Sequence, residues 1–373
     1  MVDWFAPGFK AGGPIQSCVN LSFALKEKFD VWVFTGDRDL GSEKPYDGIK
    51  ADCWSTSIDP GFHVYYASPG SQGYLAIRAV IRKLAPDVVY LNHMFSPRFV
   101  VFPLLMKRMG QIPAKVVVCP RGALFESALS VKRYKKTPFL WLFRGLGMHR
   151  LVQFHATNSR ERDAILSYFP GSDVRIAENL PNARQLPFAP IEKEPGSIKV
   201  ITVGRIHPIK NLLFYLRELM YLSSTVELTV VGPVEDAAYW RQCQDCIETL
   251  PPNIQVRYLG AIPNDQLVSL IRENHLFVSP TNGENFGHAI FEALLAGRCL
   301  LISDQTPWRD LQVKGIGWDL SLADPEAFRN AMMEASGWDQ ADFEQHAQHA
   351  WQYAREFINN LSAIEQYRGI FQP

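Results

Sequence analysis

Short runs of β-branched residues alternate along the chain with stretches whose apolar residues recur at helical spacing. Each run predicts a buried strand, and the alternation with helices predicts βαβ units with parallel sheets. Eight strands are expected on this basis: 31–34, 88–91, 116–119, 200–203, 228–231, 256–259, 276–279 and 300–303. The chain is therefore expected to be an α/β protein with doubly wound sheets, which bind ligands at the carboxyl ends of their strands.

One stretch interrupts this pattern and divides the chain. Residues 179–196 carry four prolines and no periodic pattern, which is typical of an interdomain linker. We expect a first domain at 1–182, a linker at 183–196, a second domain at 197–355, and a helix at 356–373 that returns to the first domain. The 373 residues suit two such domains, and two facing domains would enclose a deep cleft.

Composition and charge narrow the class of protein. Lys plus Arg and Asp plus Glu both number 38, so no strong field favours nucleic acid, and no nucleic-acid partner is expected. The chain has no apolar stretch of bilayer length and no signal-peptide pattern at its start, so we expect a cytoplasmic protein. It has neither a Walker loop nor a G-x-G-x-x-G fingerprint, which argues against kinases and dehydrogenases.

The segment 279–297 holds the clearest candidate for chemistry. An apolar strand runs into a loop containing Pro280 and Gly283, and a helical pattern follows from about Phe286. Such a loop presents backbone N–H groups and a helix amino end to an anion. Glu284 and Glu292 lie eight positions apart, about two helical turns, so they can reach different parts of one extended ligand.

Other candidates also follow predicted strands. Arg205 and Lys210 come after the strand at 199–203 and suit a diphosphate, although a solvated basic loop has the same composition. Gly12 and Gly13 precede a helix and could admit a phosphate or sugar, or could form a plain turn. His93 ends the strand at 88–91 and is either structural or a functional polar group.

Two patterns raise the question of a metal site. Asp37 and Asp39 form a D-x-D pattern, but the Arg38 between them would oppose a divalent cation. Cys243 and Cys246 lie in a helical pattern with no second ligand pair nearby. We therefore expect no metal ligands and no cofactor.

A basic and aromatic segment at 130–144 suggests a membrane surface. It combines a cluster of four cations at 132–136 with a following run of aromatic and aliphatic residues, as in segments that rest on anionic lipid headgroups. A charged helix end followed by a core helix has the same pattern, and this alternative stays open. The cations of this predicted membrane patch are Lys132, Arg133, Lys135 and Lys136.

The motifs together resemble one enzyme family. Glu284 and Glu292 resemble the E-x7-E signature of retaining glycosyltransferases of family four, which have the GT-B fold of two Rossmann-like domains. The sequence from Gly204 to Asn211 is similar to that family's G-R-x-x-x-x-K-N element. Gly12-Gly13-Pro14 resembles its glycine loop, and 302–304 its following strand. The resemblance covers nearly the whole chain in the same order.

The resemblance implies a nucleotide-diphosphate-sugar donor and a role for each candidate. Arg205 and Lys210 would hold the diphosphate, Glu292 the ribose and Glu284 the transferred sugar, with His93 beside the sugar. The remaining donor-binding positions implied are Gly12, Gly13, Gly204, Asn285, Phe286, Gly287 and His288. The acceptor, a glycan or a lipid-linked glycan of a bacterial surface polysaccharide, would bind the first domain, and no metal would be required. A nucleotide-sugar epimerase of the same fold and a non-catalytic binding module remain alternatives.

The sequence departs from the family at its start. The family opens with a full β-strand before its glycine loop, whereas only seven residues precede Gly8 in this chain. We expect the first strand to be shortened or to begin further upstream.

Overall fold

The computed structural model describes residues 1–130, 133–183, 186–359 and 362–372. The chain forms two compact units, one of Met1–Leu180 with Leu361–Pro373 and one of Pro181–Asn360. Each unit is an α/β structure whose strands pair in parallel, apart from one short antiparallel strand in the first unit. This confirms the α/β fold class expected from the sequence. Among the described residues, no helix combines the length and apolar character that a bilayer span requires.

The described residues of the first unit form seven strands in two sheets. Strands β1, β3 and β2 lie in that order in one sheet, and β4 to β7 follow one another in a second, wholly parallel sheet. The strands are β1 Val31–Gly36, β2 Trp54–Ser55, β3 Phe62–Ala67, β4 Val88–Asn92, β5 Lys115–Cys119, β6 Gln153–Ala156 and β7 Asp173–Ile176. The helices are α1 Gly13–Leu25, α2 Tyr74–Leu84, α3 Phe102–Arg108, α4 Glu126–Ser130, α5 Arg133–Gly145 and α6 Ser159–Tyr168, with α13 Ser362–Phe371 returning from the far end of the chain.

The first three residues lie between the two sheets of this unit. The Met1 amino group donates to the Tyr90 carbonyl oxygen at 2.7 Å, and the Asn92 N–H donates to the Met1 carbonyl oxygen at 3.1 Å. On the other side, the Val2 N–H donates to the Phe34 carbonyl oxygen at 3.1 Å. Residues 1–3 therefore pair with both β4 and β1.

In the second unit, the residues that the structure describes form one six-stranded parallel sheet in the order β10-β9-β8-β11-β12-β13. Its strands are β8 Ser197–Val203, β9 Thr225–Val231, β10 Ile254–Tyr258, β11 Leu276–Ser279, β12 Cys299–Ser303 and β13 Gly317–Leu320. Its helices are α7 Leu212–Leu219, α8 Ala237–Glu248, α9 Asn264–Arg272, α10 His288–Leu295, α11 Pro325–Gly337 and α12 Gln340–Asn359. The central strands β11 and β12 are buried along their whole length, as expected of a parallel sheet covered on both faces.

The segment at 183–196, interpreted as a linker, packs on the second unit over its described part. Arg298, which is fully buried, donates to the carbonyl oxygens of Ala189 at 3.0 Å, Arg272 at 2.7 Å and Gly297 at 3.1 Å. Lys193 donates from its ammonium to the carbonyl oxygens of Ser336 and Trp338, both at 2.9 Å. These buried cations fix the segment because the carbonyl groups would otherwise be buried without partners.

The chain therefore changes units at other positions than the sequence suggested. The crossing expected at 355–356 falls inside α12, which continues to Asn359. Along the chain, the boundaries between the compact units instead lie at 180–181 and at 360–361.

Candidate functional site

Two loops meet at the carboxyl edge of the second unit's sheet and bring Lys210 and Glu284 together. The Lys210 ammonium donates to Glu284 Oε2, and the side chains are 26% and 19% exposed. The Thr281 hydroxyl and the Asn282 N–H both donate to the Ile209 carbonyl oxygen, at 3.0 and 2.7 Å. The loop after β8 is thereby tied to the loop after β11, and the two predicted site residues form one ion pair.

Arg205 lies at the same edge and pairs with a residue that the sequence analysis missed. Its Nη1 lies 2.5 Å from Glu235 Oε2, and the two side chains are 36% and 40% exposed. Glu235 follows β9, the neighbour of β8, and its N–H donates to the Ile206 carbonyl oxygen at 3.2 Å. The sequence shows Glu235 as an acidic residue just after a predicted strand. Its pairing with Arg205 could not be predicted, because it depends on which strands are neighbours in the sheet.

A glycine allows the ends of β8 and β9 to approach closely. Gly232 has φ 144°, and a Cβ at this position would lie 1.9 Å from the Gly204 carbonyl oxygen. Gly204 itself donates its N–H to the Val231 carbonyl oxygen at 2.9 Å, and its Cα faces the Lys210 side chain. A side chain at 232 would therefore displace the backbone that carries Arg205.

The loop after β11 leads into α10 through a left-handed glycine. Gly287 is the N-cap of α10 with φ 81°, and its carbonyl oxygen accepts from the Phe291 N–H at 3.1 Å. The first N–H groups of a helix have no partner within that helix, so this end can bind an anion. Phe286 lies just before it and packs edge to face against Trp308, with ring centres 5.3 Å apart.

The remaining predicted residues of this loop and helix are placed around the same edge. Asn285 precedes Phe286 in the loop and is half-buried. His288 is the first residue of α10, and its ring centre lies 4.8 Å from that of Phe286. Glu292 lies one turn further along α10 and is only 5% exposed. A carboxylate buried to this degree needs polar partners or a polar ligand.

The other predicted residues belong to the first unit. Gly12, with φ 66°, is the N-cap of α1, and Gly13 is the first residue of that helix. The loop before them is held by Asp39, whose Oδ2 accepts from the N–H groups of Phe9 at 2.9 Å and Lys10 at 3.1 Å. His93 follows β4 with φ 69° and donates its N–H to the Cys119 carbonyl oxygen at 2.9 Å.

Both carboxylates of the D-x-D pattern bind other groups of the same chain. Asp37 pairs with Arg38 at 2.8 Å, and Asp39 binds the loop before α1 as described. In the part of the chain that the structure describes, no three His, Cys, Asp or Glu side chains are grouped so that they could hold a metal ion.

A buried polar cluster in the first unit was not predicted. Arg121 follows β5 with φ 56° and donates to the side-chain oxygens of Asn92, at 3.1 Å, and Asn179. Tyr90 lies 3.3 Å from the same guanidinium and shares a hydrogen bond of 2.6 Å with His155 Nδ1. Burial, together with the Arg121 charge, lowers the pKa of His155 to about 3. The cluster ties the ends of β4 and β5 to the chain after β7.

The predicted membrane patch lies on and just before α5. Tyr134, Trp141 and Leu142 are 72%, 76% and 60% exposed, so this helix presents large apolar side chains to solvent. Arg133 and Lys135 are exposed beside them. Lys136 differs from the prediction because its ammonium is directed back to the Ala128 carbonyl oxygen at 2.6 Å and lies over the Phe95 ring. Lys132 lies outside the described residues.

Comparison with known proteins gives one family match and a set of structural neighbours. Residues 197–336 match the family model "Glycosyl transferases group 1". No curated protein sequence matches the chain significantly. Residues 197–336 are therefore similar to group 1 glycosyltransferases. Arg205, Lys210 and Glu284 all lie inside these matched residues.

The structural neighbours are glycosyltransferases and related synthases that share the fold at low sequence identity. Sucrose-phosphate synthase from Thermosynechococcus elongatus is 17% identical, with a TM-score of 0.69 over 96% of this chain and 94% of that one. HepE from Anabaena, solved with UDP and glucose, is 15% identical, with a TM-score of 0.69 over 98% of both chains. WaaG, a glycosyltransferase of lipopolysaccharide biosynthesis, is 13% identical, with a TM-score of 0.67 over 100% of this chain and 98% of that one. These matches confirm the GT-B fold that the motifs implied.

Proposed function

We propose that the chain is a retaining glycosyltransferase that moves a sugar from a nucleotide-diphosphate sugar to a glycan or lipid-linked glycan, without a metal ion. The observation that carries the proposal is the juxtaposition of Lys210 with Glu284, beside Arg205, at the carboxyl edge of a domain similar to group 1 glycosyltransferases. This edge is where parallel α/β sheets bind their ligands.

The chemistry follows from the charges of these side chains. When a sugar leaves a nucleotide-diphosphate donor, negative charge develops on the departing diphosphate. The Arg205 guanidinium can bind two phosphate oxygens through its planar fork, and the Lys210 ammonium adds a point charge. Cations fixed in place stabilise the charge of the transition state, which is worth several kcal/mol in a water-poor site. In this proposal Arg205 and Lys210 stabilise the negative charge that a metal ion stabilises in other enzymes.

The two glutamates divide the donor between them. Glu284 contacts Lys210 and is assigned to the transferred sugar, whereas the buried Glu292 on α10 is assigned to the ribose hydroxyls. With Glu292 committed to the ribose, the pair is not the acid and base of a hydrolase. The amino end of α10 and the backbone near Asn285 and Gly287 would add N–H donors for the phosphate. Gly12, Gly13 and His93, which belong to the first unit, are assigned to binding of the donor and the acceptor.

The decisive experiment measures transfer with Glu284→Ala. UDP-sugars are the first donors to test, because HepE was solved with UDP-glucose and a structural neighbour from E. coli, titled trehalose-6-phosphate, was solved with UDP-2-fluoro glucose. We expect transfer to fall by about 100-fold or more, as it does when one group that stabilises a transition state is lost. Glu248→Ala, an exposed change at the end of α8, is the control.

Three outcomes would contradict the proposal in different ways. Transfer retained by Glu284→Ala would remove the assigned role of Glu284. Conversion of the nucleotide sugar to its epimer without an acceptor would indicate an epimerase. Nucleotide binding without turnover by any donor would indicate a binding module.

Retention is read from the anomeric configuration of the product, and a rate that falls on adding EDTA would contradict metal independence.

We also propose that α5 contacts an anionic membrane, which would place the enzyme beside a lipid-linked acceptor for surface polysaccharide synthesis. Support comes from exposed Tyr134 and Trp141 next to exposed Arg133 and Lys135. The variant Arg133→Glu/Lys135→Glu/Trp141→Ala is expected to lose most of its binding to vesicles containing phosphatidylglycerol. The control Arg82→Glu/Lys83→Glu changes exposed cations on α2. Equal loss in both variants would indicate a general charge effect, and no loss in the first would contradict the proposal.

A further inference from the structure

The loop after β12 holds the backbone of the loop that carries Glu284. The Glu284 N–H donates to the Gln305 carbonyl oxygen at 3.0 Å. Two residues further along the same loop, the Phe286 carbonyl oxygen accepts from the indole Nε1–H of Trp308 at 2.5 Å. Both ends of this short segment are therefore fixed by the loop after β12.

Trp308 is itself fixed by burial and by a local hydrogen bond. It is only 4% exposed. Its ring is stacked at 27° on that of Phe291, with centres 5.8 Å apart, and its centre lies 5.3 Å from that of the Phe357 ring. Its backbone N–H donates to the Thr306 hydroxyl oxygen at 3.2 Å. Because the indole is held in this way, it can hold the carbonyl group that it contacts in one direction.

The indole hydrogen bond determines where the next N–H of the loop points. Phe286 and Gly287 share one peptide group, which is planar and trans, so its C=O and N–H point in opposite directions. Because the carbonyl oxygen is held towards Trp308, the Gly287 N–H points away from the aromatic core. Gly287 also adjoins the side chain that pairs with Lys210, since a Cβ on this glycine would lie 3.1 Å from Glu284 Cγ.

We propose that Trp308 is a positioning residue that aims the Gly287 N–H at the distal phosphate of the nucleotide-diphosphate donor. The inference rests on the proposed function, in which Glu284, beside Gly287, binds the sugar. The distal phosphate is the one joined to that sugar. The indole does not touch the donor and acts only through the peptide group that it holds. An N–H fixed in advance binds an anion better than one that must be ordered by the ligand.

A second tryptophan of the same unit makes the same kind of bond at another place. Trp351, on α12, donates from its indole Nε1–H to the Leu186 carbonyl oxygen at 2.8 Å. A buried tryptophan usually gives its N–H a partner whatever its role, so the loss of such a bond has a cost in stability at either position. Only the bond of Trp308 is made to the loop of Glu284, and Trp351 is therefore a matched control.

The experiment replaces one indole at a time by benzothiophene, through incorporation of 3-benzothienylalanine, which keeps the shape of tryptophan and lacks its N–H. Titration calorimetry with UDP and UMP is the readout, because only UDP carries the distal phosphate. At Trp308 the change should lower the affinity for UDP by about tenfold or more, as expected when one hydrogen bond to a charged group is lost. The affinity for UMP should stay within about twofold of that of the parent chain. The same change at Trp351 should lower neither affinity.

A second measurement needs no variant. In the parent chain, the amide proton resonance of Gly287 should move downfield when UDP is added and much less when UMP is added. The inference is wrong if this resonance responds equally to both nucleotides, or if the parent chain binds UDP no more tightly than UMP. It is also wrong if the change at Trp308 lowers both affinities equally, or if the change at Trp351 gives the same selective loss.

Transfer by the parent chain is a separate readout, which tests the proposed function. Selective loss of UDP binding on changing Trp308, in a chain that transfers no sugar, would overturn the proposed transferase and support the positioning role of Trp308. Transfer by the parent chain with no selective loss of UDP binding would support the transferase and overturn the positioning role.

Discussion

At the scale of single residues, each cation of the candidate site already contacts a carboxylate. Arg205 pairs with Glu235, and Lys210 pairs with Glu284. Glu284 has a proposed role towards the sugar, whereas Glu235 has none and pairs with the guanidinium that we propose binds the diphosphate. Under the proposed function, Glu235 therefore competes with the donor for this guanidinium.

We expect Glu235→Gln to bind UDP about three- to tenfold more tightly, because the change removes a repulsive charge beside the diphosphate and frees Arg205. Titration calorimetry with UDP measures the effect. Glu227→Gln, an exposed change near the start of β9, is the control and should bind UDP as the parent chain does. Weaker binding by Glu235→Gln would instead indicate that Glu235 orients Arg205 for the ligand.

A second prediction at this scale concerns the glycine that brings β8 and β9 together. Gly232→Ala would place a Cβ 1.9 Å from the Gly204 carbonyl oxygen, so the strand ends must separate. We expect a loss of at least about 3 kcal/mol in the free energy of unfolding. Gly260→Ala is a matched control because Gly260 has φ 70° and open space around its Cα. It should lose only about 1 to 2 kcal/mol, the cost of a left-handed residue. Equal losses in urea denaturation would refute the steric argument.

At the scale of elements, the strands that the sequence predicted are those rich in β-branched residues. All eight are present, with small shifts at their ends. The strand β6 was missed because it is fully buried yet contains Gln153 and His155, whose side chains bind Asp173 and the Ala177 carbonyl oxygen. The strand β7 was missed because it is a short edge strand with exposed Asp173 and Arg175. Local composition cannot reveal partners that the tertiary fold supplies.

The same reasoning explains what the sequence could say about the site. Lys210 and Glu284 follow predicted strands and belong to recognisable motifs, so their meeting at one sheet edge was foreseeable. Glu235 was not, because its contact with Arg205 depends on β9 lying next to β8. The segment at 183–196 was interpreted as a linker because the stretch 179–196 holds four prolines, which suppress regular structure. The anchoring cations Lys193 and Arg298 are visible only in three dimensions.

Removing one of these anchors should destabilise the second unit. Arg298→Ala leaves the carbonyl oxygens of Ala189 and Arg272 buried without their donor, which costs about 3 kcal/mol or more. We expect the thermal unfolding midpoint to fall by about 6 °C or more. Arg257→Ala, an exposed arginine on β10, should change the midpoint little. A similar midpoint for both variants would mean that the segment is not held by Arg298.

At the scale of the whole molecule, each unit contains a buried histidine whose pKa lies well below the ordinary value. Burial is the main cause that lowers the pKa of His155 in the first unit to about 3 and of His275 in the second to about 4. In the unfolded chain a histidine titrates near pH 6.5. Between about pH 6.5 and 4, the unfolded state therefore binds protons that the folded state does not, and stability falls as the pH is lowered.

We expect the free energy of unfolding to fall by up to about 1.4 kcal/mol per pH unit for each of these two histidines over that range. His155→Gln and His275→Gln should each flatten the dependence, whatever they do to stability at pH 7.5. Urea denaturation between pH 7.5 and 4.5 measures the slope, with His63→Gln as the control. Slopes unchanged in both variants would exclude these histidines as its source.

The paired cations also determine how ligand binding responds to salt. A nucleoside diphosphate that reaches Arg205 and Lys210 exchanges existing ion pairs for new ones. Added salt screens the contacts that are lost as well as those that form. We therefore expect the affinity for such a ligand to fall with ionic strength less steeply than it would for two cations that have no ion pairs in the free protein. The dependence should be steeper in Glu235→Gln than in the parent chain.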